Sequence, residues 1–151
     1  MIENYISKSA IGDQLIFAVP EADQALKNSR GDNKKALLVV FKEEDGKDHL
    51  AFLEKILKAV HFDLEQDALL LALNPETAPS FTTLSKRETV KHALLFGVEP
   101  TAMGLYFNYQ LYQPLKHRTT HFLFSDSLAD LDADTSKKGA LWAALKSLFL
   151  S

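Results

Sequence analysis

Histidines, carboxylates and serines are the residues of this chain that could do chemistry. The five histidines, which could ligate a metal ion or transfer protons near neutral pH, are His49, His61, His92, His117 and His121. His49 and His61 lie too far apart along one predicted helix to share a turn. His117 and His121 lie in a segment predicted to be extended, which does not bring both side chains to one helical face. We therefore expect surface or core histidines and no metal site.

Two polar segments, each directly after an apolar run, lack the residue patterns of a catalytic site. Lys42-Glu43-Glu44-Asp45 has no Gly/Pro turn that would bring a carboxylate against a substrate, so a solvated loop is expected there. Ser125-Asp126-Ser127 has no flanking glycine of the kind that a nucleophile elbow requires. The chain also has no glycine-rich phosphate loop with the required Lys-Ser/Thr. These residues predict no catalytic set and no cofactor.

Composition sets the class of protein. The chain has 151 residues, which predicts one domain with a substantial core. Its formal net charge of −3 gives no overall positive field for nucleic acid, and the absence of cysteine excludes disulfides and thiolate zinc sites. No apolar stretch is long enough to span a bilayer, and the first residues lack the pattern of a secretory signal. We expect a cytoplasmic protein without membrane contact.

Apolar runs of strand length alternate with helical patterns along the main body of the chain. The first run is broken at Asp45-Gly46, after which Asp48 is expected to cap a helix with its apolar stripe at Leu50, Leu53 and Leu57. A final helix is predicted over residues 136–150, after an acidic spacer. The predicted core strands are residues 36–41, 68–73, 92–97 and 121–124. This alternation predicts an α/β fold, a three-layer sandwich with a central, mainly parallel four-stranded sheet.

The first residues are set apart from this pattern. Residues 1–34 are predicted to form an N-terminal extension that contains a short strand at residues 15–19. A polar, glycine-containing loop over residues 27–35 joins the extension to an α/β domain over residues 35–151. We regard the whole as a single globular domain.

The open-sheet rule places a ligand cleft at the carboxyl ends of parallel strands. The residues predicted at that edge are Lys42, Glu43, Asn74, Gly97, Glu99, Ser125, Asp126 and Ser127.

A second candidate surface combines aromatic and basic side chains near the last strand: Tyr106, Tyr109, Tyr112, Lys116 and Arg118. Such a set could stack the bases of single-stranded nucleic acid, or serve as a protein interface, where Tyr and Arg are enriched. An amphipathic edge strand with a solvated basic turn is the preferred interpretation.

The last third of the chain resembles the uracil-DNA glycosylase superfamily. In that family the last strand runs into a Ser/Leu turn and then a helix of the type Lys-x-x-Leu-Trp-x-x-Leu. Here residues 119–124 form the strand-like run, Ser125-Asp126-Ser127-Leu128 the turn, and residues 138–145 the helix motif. Residues 94–105 are similar to the family's third strand and following helix. The family's turn carries a catalytic His and Pro, but this chain has Phe124, Ser125 and Asp126 there, which implies a scaffold without glycosylase chemistry.

Within this superfamily, the chain is most similar to the psi-subunit family of bacterial DNA polymerase III, which resembles a glycosylase fold without its active site. That family also ends in a Ser-x-x-Leu-x-x-Leu segment, here Ser125, Leu128 and Leu131, and an Ala-Leu-Trp helix, here residues 140–142. The resemblance implies a non-catalytic subunit that links the clamp loader, through an N-terminal arm, to a chi-like subunit. Residues 1–14, where that arm would lie, show no match to the arm of the psi family.

Two alternative functions stay open. One is a divergent uracil-DNA glycosylase-like protein of DNA repair, or a nucleic-acid-binding relative with weak or indirect contact to DNA. The other is a protein that shares the scaffold and has an unrelated role, because a fold alone does not determine function.

Overall fold

One mostly parallel sheet organises the molecule. The computed structural model describes residues 29–74 and 80–150, and in them six strands pair in the order β1-β3-β2-β4-β6-β5. The two outer strands, β1 and β5, run antiparallel to their neighbours, and the four central strands are parallel. The strands are β1 (Ser29–Arg30), β2 (Leu37–Lys42), β3 (Ala68–Leu73), β4 (His92–Phe96), β5 (Leu115–His117) and β6 (Thr120–Ser125).

The predicted α/β class with a mainly parallel sheet is confirmed, and the four predicted core strands are the four central ones. The predicted total of four strands is too low for the described residues, because β1 and β5 extend the sheet at its two edges. These edge strands have only two and three residues, so neither produces an apolar run that a sequence pattern would detect.

The central strands are apolar throughout because both faces of the sheet are covered. In β2, Leu37, Val39 and Phe41 enter one core cluster, whereas Leu38 and Val40 enter the other. Helices α1 (Glu43–Ala59), α3 (Leu128–Ala133) and α4 (Thr135–Leu145) pack on the first face. Helix α2 (Phe81–Arg87) and a 3-10 turn (Pro100–Met103) cover the second. The layers are therefore helix, sheet and helix.

Helix α1 begins earlier than its sequence predicts. Its N-cap is Lys42, so Asp45-Gly46 is not a break, Asp48 is not a cap, and the expected solvated loop is the first helical turn. Three carboxylates in that turn, including Glu43 and Glu44, stabilise the positive end of the helix dipole. Gly46 fits there because a Cβ atom would lie 2.6 Å from the Phe41 ring.

The predicted acidic spacer is a helix, α3, and the predicted final helix has two parts. The Ser127 side chain accepts a hydrogen bond from the N–H of Asp130 and so caps α3. Asp134 ends α3 and caps α4, since its carboxylate accepts from the N–H groups of Ser136 and Lys137. Helix α4 stops at Leu145, and a π-helical segment, Lys146–Leu150, continues it.

The connection from β4 to β6 is mostly irregular. A helical turn begins at Pro100, and the following aromatic segment has no regular structure before it reaches the edge strand β5. Residues 1–28 lie outside the described residues, and with them the predicted strand at 15–19. Part of the predicted loop over 27–35 is strand β1, which pairs with β3. Among the described helices, none has the length and apolar character that a bilayer crossing requires.

Two histidines meet where β4 and β6 begin. The rings of His92 and His121 stack with centroids 5.4 Å apart, and the Phe149 ring of the π-helical segment lies 4.8 Å from His92. Burial, with the nearby charges of His121 and Lys91, lowers the pKa of His92 below its ordinary value.

This arrangement predicts a pH-dependent stability. The unfolded chain takes up a proton on His92 near pH ~6.5, whereas the folded chain does so only at lower pH, so stability is lost as the pH falls below ~6.5. We expect His92→Phe to lose less free energy of unfolding than the wild type between about pH 7.5 and 5.5, measured by urea denaturation. Equal losses in the two proteins would contradict this assignment.

Gly97, directly after β4, packs closely against the turn that leads from β6 into α3. Its N–H donates to the Ser125 carbonyl at 2.9 Å, its φ is +70°, and a Cβ atom would lie 2.7 Å from the Ser127 Cβ. We expect Gly97→Ala to lower the free energy of unfolding by about 1–3 kcal/mol, since it adds both strain and a clash. The control, Gly139→Ala in α4, meets nothing within 4 Å. It should instead stabilise the protein by about 0.5–1 kcal/mol. A Gly97→Ala protein as stable as the wild type would refute the close approach.

Candidate functional site

An open cleft of about 770 Å³ lies at the carboxyl ends of β2, β3 and β4. From β2 the chain goes to β3 on one side and then returns to form β4 on the other, so the cleft lies at the point where the strand order reverses. Its lining residues are Lys42, Glu43, Glu44, Leu73, Asn74, Gly97, Val98, Glu99, Thr101 and Ala102.

Each wall of this cleft comes from the end of a strand and the residues that follow it. Lys42 ends β2 and the first turn of α1 follows it, and Asn74 follows β3. The third wall, after β4, begins at Gly97 and continues into the Pro100–Met103 turn, which contributes Thr101. Five of the eight predicted cleft residues therefore lie together: Lys42, Glu43, Asn74, Gly97 and Glu99.

The charges in the cleft disfavour an anionic ligand. Glu43, Glu44 and Glu99 contribute three carboxylates, against the single ammonium group of Lys42. The first two acids also offset the positive end of the α1 dipole, which would otherwise attract a phosphate group. An approaching nucleic-acid backbone would meet net negative charge here.

The other three predicted cleft residues do not line this cleft: Ser125 ends β6, and Asp126 and Ser127 follow it. Their side chains make structural contacts instead. The Ser127 hydroxyl caps α3, and the Ser125 hydroxyl donates to the Asp126 carbonyl at 3.1 Å. The Asp126 carboxylate accepts a hydrogen bond from the Tyr112 hydroxyl and lies 3.9 Å from the Lys137 ammonium.

Tyr112 connects the aromatic segment to this turn. Its N–H donates to the Phe124 carbonyl at 2.9 Å, and its hydroxyl also accepts from the Asp126 N–H at 3.4 Å. Burial and the hydrogen bond to Asp126 raise the pKa of Tyr112 well above its ordinary value, so the phenol stays protonated. The residue has a φ of +62°, in the left-handed region that residues other than glycine adopt uncommonly.

The predicted aromatic and basic surface is divided by the fold. Tyr106 is 83% exposed, whereas Tyr109 packs on Phe124 with ring centroids 4.7 Å apart and Tyr112 is half-buried. The three tyrosines do not form one stacking platform. Lys116 and Arg118 are exposed at the outer edge strand, where Arg118 forms the turn between β5 and β6.

Among the described residues, no group of three metal-ligating side chains comes together. His49 is near one carboxylate, with its Nδ1 3.1 Å from Asp132 Oδ2.

Asp45 is buried, although its sequence predicts a solvated loop. It is 8% exposed, and its Oδ2 atom has no hydrogen-bond partner in the described part of the chain. Its position after Glu44 in an acidic run gave no signal of burial.

A second concavity was not predicted from the sequence. It is a shallow groove of about 190 Å³ between α1 and α4, here called the α1/α4 groove. The available signal was the matching i, i+3, i+4, i+7 spacing of its two walls, but the pattern does not say that the helices face each other. The groove is lined by Phe52, Lys55, Ile56 and Ala59 from α1 and by Lys138, Leu141, Trp142 and Leu145 from α4.

The Tyr112 contact can be tested by removing one oxygen atom. We expect Tyr112→Phe to lower the free energy of unfolding by about 1–3 kcal/mol, because the Asp126 carboxylate loses a donor in a half-buried place. Urea denaturation measures the loss. The matched control is Tyr106→Phe, which removes the hydroxyl of an exposed ring and should change stability by less than about 0.5 kcal/mol. If both variants were equally stable, the Tyr112 hydroxyl would have no structural role.

No protein-family model matches the chain, and no curated protein matches it. The resemblance to the uracil-DNA glycosylase superfamily stays a prediction from the motifs quoted above.

Proposed function

We propose that this chain is a non-catalytic protein-interaction subunit of the DNA replication machinery, similar to the psi-subunit family of bacterial DNA polymerase III. We also infer that its α/β sandwich is a version of the uracil-DNA glycosylase scaffold. The order of strands and helices from residue 36 to 150 and the closing turn-and-helix motifs support both inferences. One observation supports the non-catalytic part of the proposal: the side chains of Ser125, Asp126 and Ser127 at the end of β6 are occupied by structural contacts.

A glycosylase has to stabilise a departing base anion and to position a water molecule or carboxylate at the sugar. In this chain the turn after the last strand has Asp126 at a position of the family's catalytic turn. Its carboxylate is bound by the Tyr112 hydroxyl and pairs with Lys137. A negative charge there would repel a base anion. The neighbouring serines are committed to local hydrogen bonds, one of them as the cap of α3.

The cleft supports the same proposal. Three carboxylates line it with one lysine, so it offers poor complementarity to a DNA backbone. Catalysis on a base would need the DNA to enter this cleft and turn a nucleotide into it. Recognition of proteins has no such requirement, because interfaces form on exposed aromatic and apolar groups such as Tyr106 and Trp142.

The partners follow from the resemblance. We propose that one contact is made to the clamp loader through the N-terminal arm and another to a chi-like subunit through the α/β domain. Residues 1–14, where that arm would lie, are outside the described residues.

Affinity capture tests this function. We expect the full-length chain to retain clamp-loader proteins and a chi-like protein from an extract of cells that express it. Deletion of residues 1–14 should abolish retention of the clamp loader and leave the chi-like protein bound. Gly139→Ala, which alters no side-chain contact, should capture both as the wild type does.

The competing enzyme is tested on an oligonucleotide that contains uracil. We expect no release of uracil by the full-length chain. Release that Glu43→Gln abolishes would establish a glycosylase and end the proposal. Capture of neither partner by the folded full-length chain would equally count against it.

A further inference from the structure

We propose that the α1/α4 groove binds an acidic amphipathic helix of a partner protein, which inserts one large apolar side chain between the two helices. This inference rests on the proposed function, since it specifies a surface through which an interaction subunit would hold a partner. It concerns a different part of the molecule from the cleft at the strand ends.

The floor of the groove is apolar and partly open to solvent. Ile56, Leu141 and Leu145 are buried at its base, and Ala59 is an exposed residue of one wall. Trp142 stands on the other wall with 40% of its surface exposed. Tryptophan is the residue most enriched among those that dominate binding energy, and a half-open apolar groove beside it is a typical anchor site.

The two walls have a geometry that suits a third helix. Groove residues recur at positions 52, 55, 56 and 59 on α1 and at 138, 141, 142 and 145 on α4. Both sets have the spacing of a continuous stripe along one helical face. A partner helix lying along such a pair of stripes presents its own apolar residues at the same spacing, as in the helix-in-groove mode of recognition.

The size of the groove limits what enters it. At about 190 Å³ it is smaller than the cavities that usually enclose small molecules, which have ≈ 300–1,000 Å³. It therefore has room for one side-chain anchor and not for a cofactor. The rest of the partner helix would lie on the helical walls.

The charges around the groove select the partner. Lys138 Nζ lies 5.5 Å from the centroid of the Phe52 ring, and Lys146 Nζ lies 5.9 Å from that of Trp142. Lys55 is an exposed lining residue on the α1 wall. The groove lining thus has two cations and no carboxylate, in a chain whose net charge is −3.

These cations are incompletely neutralised by the protein itself. Lys138 has one long contact, 3.8 Å, with Asp132, and its side chain is 43% exposed. In the described part of the chain, Lys55 and Lys146 form no ion pair. Carboxylates on both sides of an apolar stripe would complement these lysines, whereas a basic helix would be repelled by them.

The sequence provides a reporter, because Trp142 is the single tryptophan of the chain. The probe is a synthetic, fluorescein-labelled amphipathic peptide of about 16 residues, or roughly four helical turns, with a leucine stripe and glutamate flanks. A second peptide has the same stripe with lysine flanks. We expect the acidic peptide to bind the full-length chain saturably by anisotropy, and its unlabelled form to shift Trp142 emission to shorter wavelength. The basic peptide should bind at least about tenfold more weakly.

Matched variants locate the site. Lys55→Glu and Lys138→Glu should each weaken the acidic peptide severalfold, and Trp142→Ala about tenfold or more by anisotropy. Lys86→Glu makes the same change in net charge on α2, on the opposite face of the sheet, and should bind as the wild type does. Because Lys55 and Lys86 are both exposed, these two variants test charge without removing core contacts.

Several results would overturn the inference. They are equal binding of the two peptides, no saturable binding, or equal weakening by Lys55→Glu and Lys86→Glu. Shielding of Trp142 from acrylamide in the chain alone would mean another occupant. If the shielding is independent of protein concentration, a segment of the same chain fills the groove, and if it grows with concentration, a second copy does. If the peptides fail to bind but the replication proteins are captured, the proposed function stands and the groove inference falls. If the acidic peptide binds but no replication protein is captured, the groove inference stands and the replication role falls.

Discussion

Burial of the central strands on both faces is the constraint on which the rest of the structure depends. Strand β2 hydrogen-bonds to β3 on one side and β4 on the other, and Leu37 to Val40 have at most 1% of their surface exposed. Parallel strands require crossover connections, so the helices have to return across the two faces and cover them. All four parallel strands then end at one edge. The polar residues that follow β2, β3 and β4 therefore lie close together and line the cleft.

The central strands could be predicted because continuous apolar runs of three to six residues are short for a helix and typical of a strand that is covered on both faces. The predicted range 68–73 coincides with β3, and the other three differ by one residue at one or both ends. The start of α1 could not be predicted from Asp45-Gly46, which usually ends an element. The reason for the glycine is tertiary, since Gly46 lies against the Phe41 ring, where any side chain would collide. The helix in the acidic spacer, α3, could not be predicted either, because six residues are too few to show a helical period.

Of the candidate sites, the cleft could be predicted from the sequence and the α1/α4 groove could not. A topological rule located the cleft and five of its residues, since that rule needs only strand ends. It did not foresee that the turn after β6 faces elsewhere, because this depends on the close approach of Gly97 to Ser127 and on the Tyr112 hydroxyl. The α1/α4 groove depends on how two helices distant in sequence lie across the sheet. In the sequence, Phe52 and Trp142 have the same helical spacing as ordinary core residues. Only the structure shows that 40% of the surface of Trp142 is exposed.

Helix α1 also gives the molecule an uneven distribution of charge. Its first turn has Glu43, Glu44 and Asp45, and its second half has Lys55 and Lys58. Such a separation makes the side chains of one helix an electric dipole that opposes the dipole of its backbone. The two ends of one helix therefore give two neighbouring concavities opposite electrostatic character: its first turn makes the strand-end cleft acidic, and Lys55 adds a cation to the α1/α4 groove.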